Sequence, residues 1–251
     1  MHGERVVAAV PMTGTLNGEE PAGAGSDPER VALAPLAIGT RAGVVKRWNR
    51  ESPTTMDSWN VIELKEGDEV LHAADAADKD RIVFVSSDSS LLTFEAGNVR
   101  PQGRTAGGMA GIRLAEGQKV LAFAVVSEGN VAWRNAGEGS GDAGADGGMT
   151  AVDATGAVVL TVAGDADALP GTENGCAKVT PLELYPTKGR ATGGVRSQRL
   201  LRGQNTLIAA YVGPYPLHAS ADSGSPIPLP APDMRRDGSG TDLDAPIAYV
   251  G

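Results

Sequence analysis

An eleven-residue stretch, Val61–Leu71 (VIELKEGDEVL), returns fifty residues later as Gly111–Leu121 (GIRLAEGQKVL), and a repeat of this kind constrains the fold more than any other feature. A third copy is Gln198–Ile208, and Gly3–Val7 reads as the tail of a further copy that begins before the chain does. Alternating Ile and Leu predict a strand, and the central Glu-Gly or Arg-Gly predicts a turn into the next strand. Upstream of each copy lies a second pattern: an apolar run, a polar turn and a run carrying a base. Leu36–Arg47 shows it around Gly43, Ile82–Phe94 around Ser90, Val158–Val179 with Gly175 and Lys178, and Leu217–Leu229 in worn form around Gly224. A turn between two such runs is a hairpin signal. The expectation is an all-β, propeller-like disc of about four blades, each of roughly four strands, as a single domain over 1–251. Gly- and acid-rich inserts at about 14–28, 137–148 and 164–172 lengthen some repeats and read as flexible loops.

Charge is segregated along the chain. The formal net charge is −9, which on its own disfavours a nucleic-acid partner. Yet Arg41–Arg50 and Asn98–Arg113 are basic without an acid, and Cys176–Arg202 holds six bases against Glu183. A basic rim on an acidic body is therefore expected, and only the potential within a Debye length, roughly 8–10 Å, decides binding there. Cys176 is the sole cysteine, which excludes an intrachain disulfide, and the N-terminal residues have no signal-peptide pattern. A cytoplasmic, nucleoid-associated protein with no membrane partner is the expectation.

Two segments are more specific than the repeat: Gln102–Leu114 (QGRTAGGMAGIRL) and Tyr185–Val195 (YPTKGRATGGV). In them the sequence resembles the C-terminal domain of bacterial type IIA topoisomerase A subunits, the DNA gyrase and topoisomerase IV family, in which Gly-Arg, a Gly-Val-like pair and Ile-x-Leu recur once per blade. Gly39–Lys46 resembles that family's hairpin. The resemblance covers roughly Gly3–Ile208 outside the inserts. It implies a β-pinwheel that binds and bends duplex DNA without reading its sequence, supporting strand passage and control of supercoiling. The implied partners are duplex DNA and, within the parent enzyme, the rest of the A subunit together with the ATPase subunit. It also implies that the cleavage and ATPase sites lie outside this chain, so the domain alone is no enzyme and needs no cofactor. The Gln-(Arg/Lys)-Arg-Gly-Gly-(Arg/Lys)-Gly box expected of gyrase is missing, Gln102–Gly108 being its nearest approach, so gyrase and topoisomerase IV remain alternatives.

A Gly-Arg turn at a blade edge lets backbone approach a phosphate while the guanidinium offers a bidentate fork to its oxygens. Arg104 and Arg190 are accordingly the first contact candidates, followed by Lys46, Arg47, Arg100, Lys188 and Arg196. The competing role for Arg104 and Arg190 is to pair with acids across a turn or to satisfy buried carbonyls. Gly139–Gly144 matches a dinucleotide-binding fingerprint only in letters, without a flanking strand and helix. His2, His72 and His218 stand apart from one another and from Cys176, so no metal site is expected. Trp48, Trp59 and Trp133 read as packing residues. The rival from another class is a propeller that serves as a protein-interaction platform, with affinity little affected by salt.

Overall fold

Each blade starts from a hairpin. In a computed structural model, which describes residues 6–10, 33–50, 58–134, 154–169 and 172–251, β1 (Leu36–Thr40) pairs antiparallel with β2 (Val44–Trp48). Their turn closes through the Gly43 amide donating to the Thr40 carbonyl at 3.1 Å. β4 (Arg81–Ser86) and β5 (Ser90–Glu95) repeat the hairpin, with Ser89 donating to Ser86 at 3.0 Å. β8 (Ala157–Gly164) and β9 (Cys176–Pro181) repeat it again, and β12 (Ala219–Ser220) with β13 (Pro226–Ile227) is the worn fourth copy. The prolines between Pro214 and Pro232 remove ladder donors, and the fourth hairpin is correspondingly two residues long on each side.

A third strand then lies beside the first strand of each hairpin: β3 (Val70–Asp75) on β1, β7 (Val120–Val126) on β4 and β11 (Thr206–Pro214) on β8. All three pairings carry a register shift near the start of the third strand. Just before each shift sits the same turn, in which Asp68, Gln118 and Gln204 donate to Lys65, Ala115 and Leu201. Gly67, Gly117 and Gly203 occupy equivalent places in it, at φ of 77°, 73° and 90°. The repeat is therefore structural. Its first half differs from expectation, because the Ile-x-Leu segments form no ladder. Their amides bond sideways to neighbouring loops: Gly111 and Ile112 donate to the Gly43 carbonyl, and Arg113 to Thr192. Val6–Val10 forms no strand, and Gly3–Arg5 lies outside the described residues.

The fourth strand of a blade comes from further along the chain. β6 (Met109–Ala110) follows the second hairpin yet pairs with β2 of the first, and β10 (Val195–Arg196) follows the third hairpin yet pairs with β5 of the second. β14 (Thr241–Asp242) pairs with β9 in the same way, while β15 (Tyr249–Val250) completes the three-stranded last sheet. Each of the first three blades thus receives its outer edge from the repeat that comes after it.

Both faces of the middle blades are apolar, which explains runs that do not alternate with polar residues. Ile82 and Phe84 of β4 pack toward the first blade with Val45, Phe94 and Phe123, whereas Val83 and Val85 pack toward the third with Val159 and Leu207. Val158, Leu160 and Val162 in turn face Leu217 and Ile227 of the fourth. The free face of the first blade is covered by Trp59, Val61 and Val10 around Trp48. The inner strands β3, β7 and β11 line a central opening bordered by His72, Phe123 and Tyr211. Of the inserts, 14–28 and 137–148 lie outside the described residues. Within the third, Asp165 is bonded to Asn205 at 2.6 Å and its amide to Glu173 at 2.7 Å.

Gly194, which leads into β10, sits at φ 75°, and a Cβ there would lie 2.3 Å from the Leu91 carbonyl oxygen. Gly117 has a similar φ but open space around it. Gly194→Ala is expected to lower the unfolding free energy by roughly 2–4 kcal/mol, left-handed strain and steric overlap acting together, against about 1 kcal/mol for Gly117→Ala. Urea denaturation of the two variants measures the difference, and equal losses would show that the exchanged strand tolerates displacement.

Candidate nucleic-acid interface

The first two of the three outer segments present the sequence's Gly-Arg motif at the blade edges. Pairing fixes their equivalence: Met109 sits opposite Val45, Val195 opposite Leu91 and Thr241 opposite Ala177. Arg104 and Arg190 each precede the outer strand by five residues, and so does Arg236. Arg235 and Arg236 therefore fill a third slot that the Gly-Arg motif leaves unassigned. A further equivalent pair is Arg113 and Arg199, both exposed, whose amides donate to the loop of the next slot at Thr192 and Gly238, each at 3.0 Å. The outer segments thus touch one another in series. Register counted between slots, rather than local motif, is the signal that finds these residues.

Exposure separates the candidates. Arg100, Lys188 and Arg196 are exposed, and Arg104 and Arg190 are half-buried. None of the five forms a salt bridge with another described residue. Lys188 donates to the Gly194 carbonyl at 3.1 Å within its own loop. Arg190 reaches the Ala110 carbonyl at 2.7 Å, so part of its fork satisfies backbone, as the competing role foresees. That contact also joins the second slot to the outer strand of the first. Arg104 has no side-chain hydrogen bond among the described residues.

Lys46 and Arg47 correct the expectation of a surface role. Both side chains are fully or almost fully buried, because β2 is an interior strand once β6 has closed over it. Lys46 Nζ donates to the carbonyls of Val61 (2.7 Å), Arg104 (2.9 Å) and Ala106 (2.7 Å), which matches its three protons. Burial lowers its pKa from the ordinary 10.5. Arg47 ties together the carbonyls of Ala76 (2.9 Å), Ala96 (3.0 Å) and Val99 (3.2 Å) and pairs with Asp78 at 2.7 Å. It joins the first blade to the turn Ala96–Asn98 at the end of β5.

Lys178 is the third-blade counterpart of Lys46, one residue beyond the matched pairs, and Leu92 holds that position in the second blade. Lys178 donates to Thr180 Oγ1, to the Arg236 carbonyl at 3.0 Å and, weakly, to Ser197 at 3.4 Å. The third slot is electrostatically different from the first two. Asp233 pairs with Arg235 at 3.1 Å, and Asp242 stands where the second slot has Arg196. Burial raises the Asp233 pKa, but its hydrogen bonds from Arg235 outweigh that and leave it lowered.

Face-to-face antiparallel blades, the first three closed by a strand from the next repeat, define a propeller-type disc of the β-pinwheel kind. The profile described as "DNA gyrase C-terminal domain, beta-propeller" matches residues 80–127 and 171–212. Over these two stretches the chain is similar to DNA gyrase A C-terminal domains. It is 27% identical to the DNA gyrase A subunit of Escherichia coli (strain K12) over 149 residues, 59% of this chain and 13% of that protein. Against the DNA gyrase A subunit of Staphylococcus aureus (strain MRSA252) it is 26% identical over 207 residues, 81% of this chain and 20% of the relative. The chain thus spans about a fifth or less of the length of these relatives. In fold it is similar to the C-terminal domain of DNA topoisomerase IV, with a TM-score of 0.64 and 14% identity over 90% of this chain and 63% of the other. The DNA gyrase A C-terminal domain gives a TM-score of 0.59 and 16% identity over 88% and 66%.

The buried lysines carry a pH signature. Burial lowers Lys178 from 10.5 to about 8, although Asp233 and Asp237 pull the other way. Between those values the unfolded chain binds a proton that the folded chain lacks, so Lys178 makes stability rise with pH across the window. Wild type should gain on Lys178→Met from pH 8 to about 10.5 and track it below pH 8. Denaturant titrations at successive pH values measure this, and parallel profiles throughout would contradict it.

Proposed function

We propose that this domain holds duplex DNA along the edge formed by its exchanged outer segments, as part of a bacterial type IIA topoisomerase A subunit that works on the chromosome in the cytoplasm. The observation that carries the reading is the series Arg104, Arg113, Arg190, Arg196 and Arg199. Five arginines are brought to adjoining blade edges by one structural device, none of them in a salt bridge with a described residue. Arg100 and Lys188 flank the same loops. Guanidinium groups and loop amides contact phosphate oxygens and fix the position of a duplex without reading bases. A net charge of −9 is compatible with this because screening leaves each phosphate to the charges nearest it.

The path covers the first two outer segments and ends at the third, where Asp233, Asp237 and Asp242 accompany Arg235 and Arg236. Smoothly bending 20–30 base pairs by 40–90° costs on the order of 1–6 kcal/mol, so a path of this length supports modest bending rather than a full wrap. Strand cleavage and ATP hydrolysis belong to other parts of the parent enzyme, for which this domain steers the DNA.

Loss of either Arg104 or Arg190 is expected to weaken binding to every duplex sequence alike. Each substitution by Ala should lower the slope of log affinity against log salt by roughly one. Titration of unrelated duplexes across a salt series, with thermal unfolding as a check on folding, measures both effects. Unchanged affinity and slope in a folded double variant would remove the two residues from the DNA path. A partner bound with little salt dependence would favour the protein-interaction platform instead.

A further inference from the structure

We propose that Lys46 is a positioning residue for DNA binding: its buried ammonium latches the loop that presents Arg104, and it acts only through that arginine. The inference rests on the reading of Arg104 as a phosphate contact. Lys46 is fully buried and meets no carboxylate among the described residues; all three of its protons go to carbonyls. One carbonyl belongs to Val61, in the connection between β2 and β3. The other two belong to Arg104 and Ala106, so the ammonium grips the peptide on both sides of Thr105. The same loop is closed by the Ala106 amide donating to Gly103 at 3.2 Å and by Glu63 donating to Ala106 at 3.4 Å, both long bonds. A loop with two weak bonds of its own depends on the charged donor beneath it.

The fold contains its own control. At the equivalent position of the second blade stands Leu92, and there the loop is held from outside. Arg190 bonds to Ala110, the Ala191 amide donates to Gly111 at 2.6 Å, and Arg81 donates to Thr187 Oγ1. Arg190 thus spends part of its fork on its own support, whereas Arg104, held from beneath by Lys46, keeps its whole fork for a ligand. Preorganising a contact in this way raises affinity by reducing the ordering that binding requires.

The test compares Lys46→Leu, which copies the second blade's solution, with Arg104→Ala and the double variant. Duplex DNA affinity is read over a salt series, and amide hydrogen exchange is read at Glu63 and Ala106. Lys46→Leu should unfold cooperatively, exchange about tenfold or more faster at these two amides and bind DNA about three- to tenfold more weakly. The double variant should bind no more weakly than Arg104→Ala alone. Losses that multiply in the double variant, or unchanged exchange and affinity in Lys46→Leu, would overturn the proposal. If Lys46→Leu does not fold, Lys46→Gln, which retains two donors, takes its place with the same expected non-additivity. Should Arg104→Ala leave affinity unchanged, the DNA reading of Arg104 fails and the latch's role in binding fails with it. The exchange rates then separately show whether Lys46 holds the loop.

Discussion

Three two-residue strands, β6, β10 and β14, hold the blades in register by leaving one repeat and pairing with the hairpin of the repeat before. An interior hairpin strand such as β2 has unmet amides and carbonyls on its outer side until the exchanged segment arrives, and a buried edge of that kind is costly if left open. The exchange therefore couples each blade to the next through hydrogen bonds as well as packing. It also fixes where the crossing loops run. The Gly-Arg loop, which must pass from one blade to another, has to lie at the edge of the disc, and its arginine is carried there by topology rather than by a local preference.

Burial of Lys46, Arg47 and Lys178 is a consequence of the same exchange. Each lies on a second hairpin strand, β2 or β9, that the incoming segment covers, so each becomes an internal cation surrounded by the carbonyls of the crossing loops. Isolated buried charge is expensive, and here it is tolerated because carbonyls take all three protons of Lys46, while Arg47 adds the Asp78 carboxylate to its three carbonyls. The apolar faces do the rest. Within the second blade Phe84 packs against Phe123 at 5.0 Å between ring centroids and against Phe94 at 6.2 Å, and this cluster meets Ala37 and Val45 of the first blade.

The hairpins and the turn glycines are legible in the sequence because they are local: alternation, a polar turn and a left-handed glycine need only neighbours along the chain. The exchanged strands are not. Met109–Ala110 and Val195–Arg196 are too short to show a period, and their partners lie 64–66 and 104–106 residues away. For the same reason Lys46 and Arg47 read as surface bases, since nothing within β2 reveals that β6 will cover it. Arg104 and Arg190 stand out through their Gly-Arg motif, whereas Arg235 and Arg236 lack the preceding glycine and emerge only from the pairing of Thr241 with Ala177. Ile-x-Leu, which reads as a strand, is an extended connection because its amides serve neighbouring loops.

If the exchanged segments form one edge that accepts DNA, the arginines on that edge should be shielded together. Arginine-selective dicarbonyl labelling of the folded domain, with and without a saturating duplex of arbitrary sequence long enough to span the edge, measures this residue by residue when read by mass spectrometry. Arg104, Arg113, Arg190, Arg196 and Arg199 are predicted to lose reactivity in the complex, while Arg235, paired with Asp233 beyond the end of the path, keeps it. Protection centred on Arg235 with the first two segments still reactive, or no site-selective protection at all under binding conditions, would contradict a DNA path along this edge.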